Sequence, residues 1–151
     1  MRSLVLAALV GLALTAVPAA IGQQASTTDP AIRNGDAQRA LSAARKLWSA
    51  RGVPSYTFEL SVNCFCPPTT SVKIVVRKGR PARATSKRLL AQATVPRLFR
   101  TIQGAIDRKV AKLVVKYGPR GVPRQIYIDT DERIADEEIG YVIRNFAPLR
   151  G

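Results

Sequence analysis

Two amphipathic helical stripes, each followed by a run of short strands, constrain the fold of this chain more than any other feature. Ala37, Ala40, Leu41, Ala44, Leu47 and Trp48 recur at helical spacing. Gly35-Asp36 opens that helix, with Asp36 as its N-cap, and Gly52-Val53-Pro54 closes it. From Tyr56 to Asn63 the pattern alternates: Tyr56, Phe58, Leu60 and Val62 on one face, Thr57, Glu59, Ser61 and Asn63 on the other. Pro67-Pro68 ends this strand, Val72–Arg77 supplies a second, and Lys78-Gly79 turns the chain into a third over 80–85. Thr94 then caps a helix striped by Val95, Leu98, Phe99, Ile102 and Ile106. Strands follow over Leu113–Tyr117, Gln125–Asp129 and Ile139–Phe146. The pattern predicts an α+β fold: an antiparallel sheet of about six strands with two helices on one face, in the order α-β-β-β-α-β-β-β, two pseudo-repeats. Trp48 and Phe99 lie on the stripes and are expected in the core.

The N-terminus reads as an export signal. Met1-Arg2 gives a positive start, 4–17 is an apolar run, and Pro18-Ala19-Ala20-Ile21-Gly22 offers small residues for cleavage. That run falls short of the roughly 20 apolar residues a membrane span needs. The expected organisation is a signal peptide over 1–22, a flexible polar tether over 23–35 and a single domain over 36–149. The location that follows is exported, periplasmic or extracellular, with no transmembrane segment once the signal is cleaved.

Cys64-Phe65-Cys66 are the chain's two cysteines with one residue between them. In an extended strand their Cα atoms would stand about 6.6 Å apart, at the upper limit for a disulfide, so a bend before Pro67 is needed to join them. Four readings stay open: a bridge locking the strand end, a redox-active dithiol, a soft-metal site and two unreactive thiols. A catalytic dithiol needs a low-pKa thiolate, and Asn63, Phe65 and Pro67 bring no cation. The chain has no histidine, which excludes Ser-His and Cys-His nucleophiles and histidine-based metal or haem sites.

With Leu47-Trp48, Tyr56-Thr57-Phe58, Cys64-Phe65-Cys66, Gly79, Thr94-Val95 before Leu98-Phe99, Tyr117 with Gly121-Val122-Pro123, Ile126-Tyr127-Ile128-Asp129 and Asp136-Glu137-Glu138 before Tyr141 and Phe146, the chain resembles the DUF6174 family of small exported bacterial proteins. The resemblance spans 37–148 and implies export and this fold, with no known activity. Gly118-Pro119-Arg120 departs from the pattern where an acid is usual after Tyr117.

The net charge is +14 and unevenly spread. Lys73 to Arg124 holds fifteen bases against Asp107 alone, whereas Asp129 to Glu138 holds six acids against Arg133. Lys73, Arg77, Lys78, Arg80, Arg83, Lys112 and Lys116 are candidate anion-binding residues, and strand alternation is expected to bring Lys73, Arg77, Arg83, Lys112 and Lys116 out opposite the helices. Lys87 and Arg88 continue the basic band, but no aromatic residues are interleaved with it, so nucleic acid is not expected as a partner. Asp129, Asp131 and Asp136 form a weak candidate cation loop without the glycine or spacing of an EF-hand. These features predict a non-enzymatic, cofactor-free binding module for an anionic envelope polymer, lipid headgroups or another exported protein. The alternative is a thiol-disulfide redox protein built on Cys64 and Cys66.

Overall fold

The computed structural model describes residues 28–67, 71–84 and 87–149. The signal-peptide reading and the first tether residues lie outside them. Within them the chain is α+β: α1 (Pro30–Arg33), α2 (Asp36–Arg51), β1 (Tyr56–Cys64), β2 (Val72–Arg77), β3 (Arg80–Ala84), a 3-10 helix (Lys87–Gln92), α3 (Val95–Asp107), β4 (Lys112–Tyr117), β5 (Pro123–Asp129) and β6 (Ile139–Pro148). The strands form one six-stranded sheet in the order β3-β2-β1-β6-β5-β4. Every neighbouring pair runs antiparallel.

The expected element order holds, and α2 and α3 share one face. Gln38 on α2 and Gln103 on α3 exchange amide hydrogen bonds, and the Arg45 guanidinium donates to Gln103 and to the Phe99 carbonyl. The repeat is one of order and not of symmetry. Superposing β1-β2-β3 on β4-β5-β6 reverses strand direction while keeping their sequence across the sheet. A rotation that does this also turns the sheet over, and would carry the second helix to the opposite face.

The core lies between the helices and the sheet. Tyr56, Phe58 and Leu60 of β1, Ile74 and Val76 of β2, Ile126 of β5 and Ile143 of β6 are essentially inaccessible, as are Leu41, Leu98 and Ile102 from the helices. Apolar burial on this scale is the dominant stabilising contribution, at roughly 25 cal/mol per Å2. The buried Tyr56 hydroxyl accepts the Val95 N–H, which ties the start of α3 to the sheet; burial raises the phenol's pKa, and that hydrogen bond opposes the rise. The stripe of α2 is narrower than its spacing suggests: Leu47 is 46 % exposed and Trp48 half-buried.

Three local features depart from expectation. Residues 28–35 are not a tether. Asp29 is buried, its Oδ1 accepts the Ala31 N–H to cap α1, and its Oδ2 accepts the Leu113 N–H on edge strand β4. Its own N–H donates to the Val110 carbonyl. One carboxylate therefore staples the segment to the sheet edge, a role invisible in a polar stretch read without its partner. The N-cap of α2 is Gly35 (φ +80°), not Asp36; the Asn34 side chain instead accepts the Asp36 N–H. Finally, β6 carries a bulge. Thr57 pairs with Ala147 but Glu59 with Arg144, so Asn145 (φ +51°) and Phe146 together oppose Phe58. The extra residue reverses the alternation and returns Phe146 to the core side, where its ring lies 5.9 Å from Trp48 and 5.3 Å from Tyr56.

Candidate functional site: the open sheet face and the disulfide rim

Among the described residues no helix covers the second face of the sheet. On β2, Val72, Ile74 and Val76 point inward while Lys73 and Arg77 are exposed; on β4, Leu113 is buried while Lys112 and Lys116 are exposed. Lys78 and Gly79 have φ of +49° and +74° and form the tight hairpin that sets Arg77 beside Arg80. The Lys78 N–H donates to Ser55 Oγ and the Gly79 N–H to the Pro54 carbonyl, fixing the turn. Arg83 is in register with Val75, and its side chain lies outside the described set.

Lys73, Arg77, Lys112 and Lys116 thus share a face, but as two flanks. Strands β1, β6 and β5 separate β2 from β4, so the flanks stand about 19 Å apart at about 4.8 Å per strand. Lys112 Nζ lies 5.9 Å from the centre of the Tyr127 ring. Between the flanks run Thr57, Glu59, Ser61 and Gln125, together with Arg144, which is in register with Glu59. Arg144 lies beyond the basic window and was missed; its odd-numbered neighbours Tyr141 and Ile143, which face the core, are the signal that could have placed it outside.

Cys64 and Cys66 are joined by a disulfide, with Cα atoms 5.2 Å apart. The expected bend is present: the Cys66 N–H donates to the Cys64 carbonyl at 2.7 Å. The bridge sits at the rim of the sheet. On one side a cleft of about 130 Å3 is lined by both cysteines, Val62, Leu89, Gln92, Ile139 and Tyr141. On the other, Phe65 is 80 % exposed beside a shallow cleft with Asn63, Tyr127, Asp136, Glu138 and Gly140. The charges in that second cleft are carboxylates, which disfavour a thiolate beside them.

The acidic loop does not come together as a cation cage; no metal-competent cluster exists among the described residues. Arg133 Nε and Nη2 grip both oxygens of Asp131 at 2.9 and 2.7 Å, and those hydrogen bonds pull its pKa down to about 2. Asp136 turns away at φ +75° to line the Phe65 cleft. Asp129 is buried, and its Oδ1 has no hydrogen-bond partner among the described residues. Burial raises its pKa, and the nearby charges of Glu138 and Glu132 raise it further.

No described helix is long and apolar enough to cross a membrane. The profile of a family of unknown function, DUF6174, matches residues 40–148. No curated protein and no solved structure matches the chain.

Proposed function

We propose, for a chain that belongs to the family of unknown function DUF6174 and inherits no activity from it, a non-catalytic binding module working outside the cytoplasm. Its ligand is an extended polyanion, and its binding surface is the open face of the sheet. The observation that carries this reading is the placement of Lys73, Arg77, Lys112 and Lys116 on one uncovered face, in two flanks. Exposed charges that far apart lie beyond the screening length of about 8 Å at physiological salt, so each flank acts separately. A small anion engages one flank. A chain of phosphates or carboxylates spans both and gains from the second contact.

The competing reading is thiol-disulfide exchange at Cys64 and Cys66. It is supported by the bond at an accessible rim and weakened by Asp136 and Glu138 in the adjoining cleft.

The test is retention on polyphosphate-coated beads against uncoated beads, across a salt series. Retention is expected on the coated beads alone and falls steeply as salt rises. Neutralising one flank (Lys73→Gln with Arg77→Gln, or Lys112→Gln with Lys116→Gln) weakens it, and neutralising both abolishes it. Retention unchanged by salt, or unchanged in the fourfold variant, defeats the proposal. Phosphatidylglycerol vesicles run in parallel: retention on them at the level of the beads reassigns the polyanion to a lipid surface.

A further inference from the structure

On the helix side, a cleft of about 400 Å3 lies between α2 and α3, lined by Arg45, Trp48, Ser49, Pro96, Phe99 and Arg100. Its composition is unlike that of the other clefts. Phe99 is buried beneath it, and Trp48 and Pro96 complete an apolar wall. Trp48 is held from behind, edge-on to Tyr56 at 5.2 Å and to Phe146 at 5.9 Å, so its position is fixed without a ligand. Arg45 is fixed as well, through its hydrogen bonds to Gln103 and the Phe99 carbonyl. Arg100 is exposed and has no ion pair among the described residues.

No carboxylate lines the cleft. Among the described residues the ion pairs are Arg39–Asp36 and Arg133–Asp131, so no described carboxylate neutralises either cleft guanidinium. Two guanidinium groups with no carboxylate partner among the described residues, beside an aromatic wall, leave a demand for an anion with an apolar body. Guanidinium groups favour carboxylates, which they meet with two parallel hydrogen bonds. The Ser49 hydroxyl offers a further donor. The volume falls within the range of small-molecule sites.

We propose that this cleft binds a small amphiphile carrying a carboxylate, with its apolar body against Trp48 and Phe99 and its head at Arg100 and Arg45. The site lies on the opposite side of the sheet from the polyanion surface and does not depend on it.

Trp48 is the chain's one tryptophan, so its emission reports directly on the cleft. The probe is octanoate, followed by Trp48 fluorescence and by equilibrium dialysis of labelled octanoate. Saturable uptake is expected, at least about tenfold weaker in Arg100→Gln, the effect of losing one charge-assisted contact. Octanol binds weaker by a similar factor, and octylammonium does not compete. Lys112→Gln with Lys116→Gln leaves uptake unchanged, which separates this site from the open face. No saturable uptake by dialysis, octanol binding as tightly as octanoate, or Arg100→Gln binding like the unaltered protein each overturns the proposal.

Discussion

At the scale of single residues, the least settled group in the fold is Asp129. A carboxylate buried without a partner for Oδ1, close to Glu138 and Glu132, has its pKa raised above the unfolded value. The native state therefore holds this proton more tightly than the unfolded chain does. The resulting penalty is absent below about pH 4, grows as pH climbs to the native value, and is complete above it. Asp129→Asn removes the titration. Its stability relative to the unaltered protein, from urea midpoints, is expected to shift in favour of asparagine between pH 4 and pH 7. A difference that stays flat or runs the other way rejects the assignment. The sequence displayed Asp129, Asp131 and Asp136 as equivalent acids on one loop. What separates them is tertiary: Arg133 claims one, burial perturbs another, and a positive-φ turn directs the third to Phe65. Spacing along a chain carries none of that.

At the scale of elements, the strands and the two long helices were legible because their burial is periodic. Tyr56, Phe58 and Leu60 or Val72, Ile74 and Val76 repeat every second residue, and Leu98 and Ile102 recur one helical turn apart. Short elements held by single contacts were not. The helix at Pro30–Arg33 rests on Asp29, and the register of β6 beyond Arg144 rests on one bulge. The β4–β5 turn is another such contact. Gly121 has φ +75°, and a Cβ there would lie 2.1 Å from the Ala44 carbonyl oxygen, so the turn seats directly on the backbone of α2. Both the conformation and the approach demand glycine. Gly121→Ala is expected to cost about 3 kcal/mol, from left-handed strain plus overpacking. Urea denaturation measures it, and a loss below about 1 kcal/mol means that α2 and the turn separate freely. The disulfide contributes less. Its three-residue ring removes little chain freedom, about 1.5 kcal/mol in the entropy relation, so the fold stands without it.

At the scale of the whole molecule, the candidate surfaces follow from one sheet covered on one side. The shared face of Lys73, Arg77, Lys112 and Lys116 was readable from alternation alone, because strand period fixes direction. Their division into two flanks was not, because it depends on the order β3-β2-β1-β6-β5-β4. The cleft beside Trp48 was hidden for a related reason: its walls come from helices distant in sequence that meet only when folded. That same strand order seats β1 against β6, pairing Tyr56 with Pro148 and Cys64 with Ile139 across the centre of the sheet. Removing β6 leaves β1-β2-β3 and β4-β5 with no strand between them and strips Tyr141, Ile143 and Phe146 from the core. A chain stopped at Glu138 is expected to lack a cooperative thermal transition, and a sharp one would show that the halves fold alone. The consequence reaches the moment of synthesis. A ribosome delivers β1 more than seventy residues before its partner Ile139, so the nascent chain cannot close the sheet until β6 emerges to seal the seam.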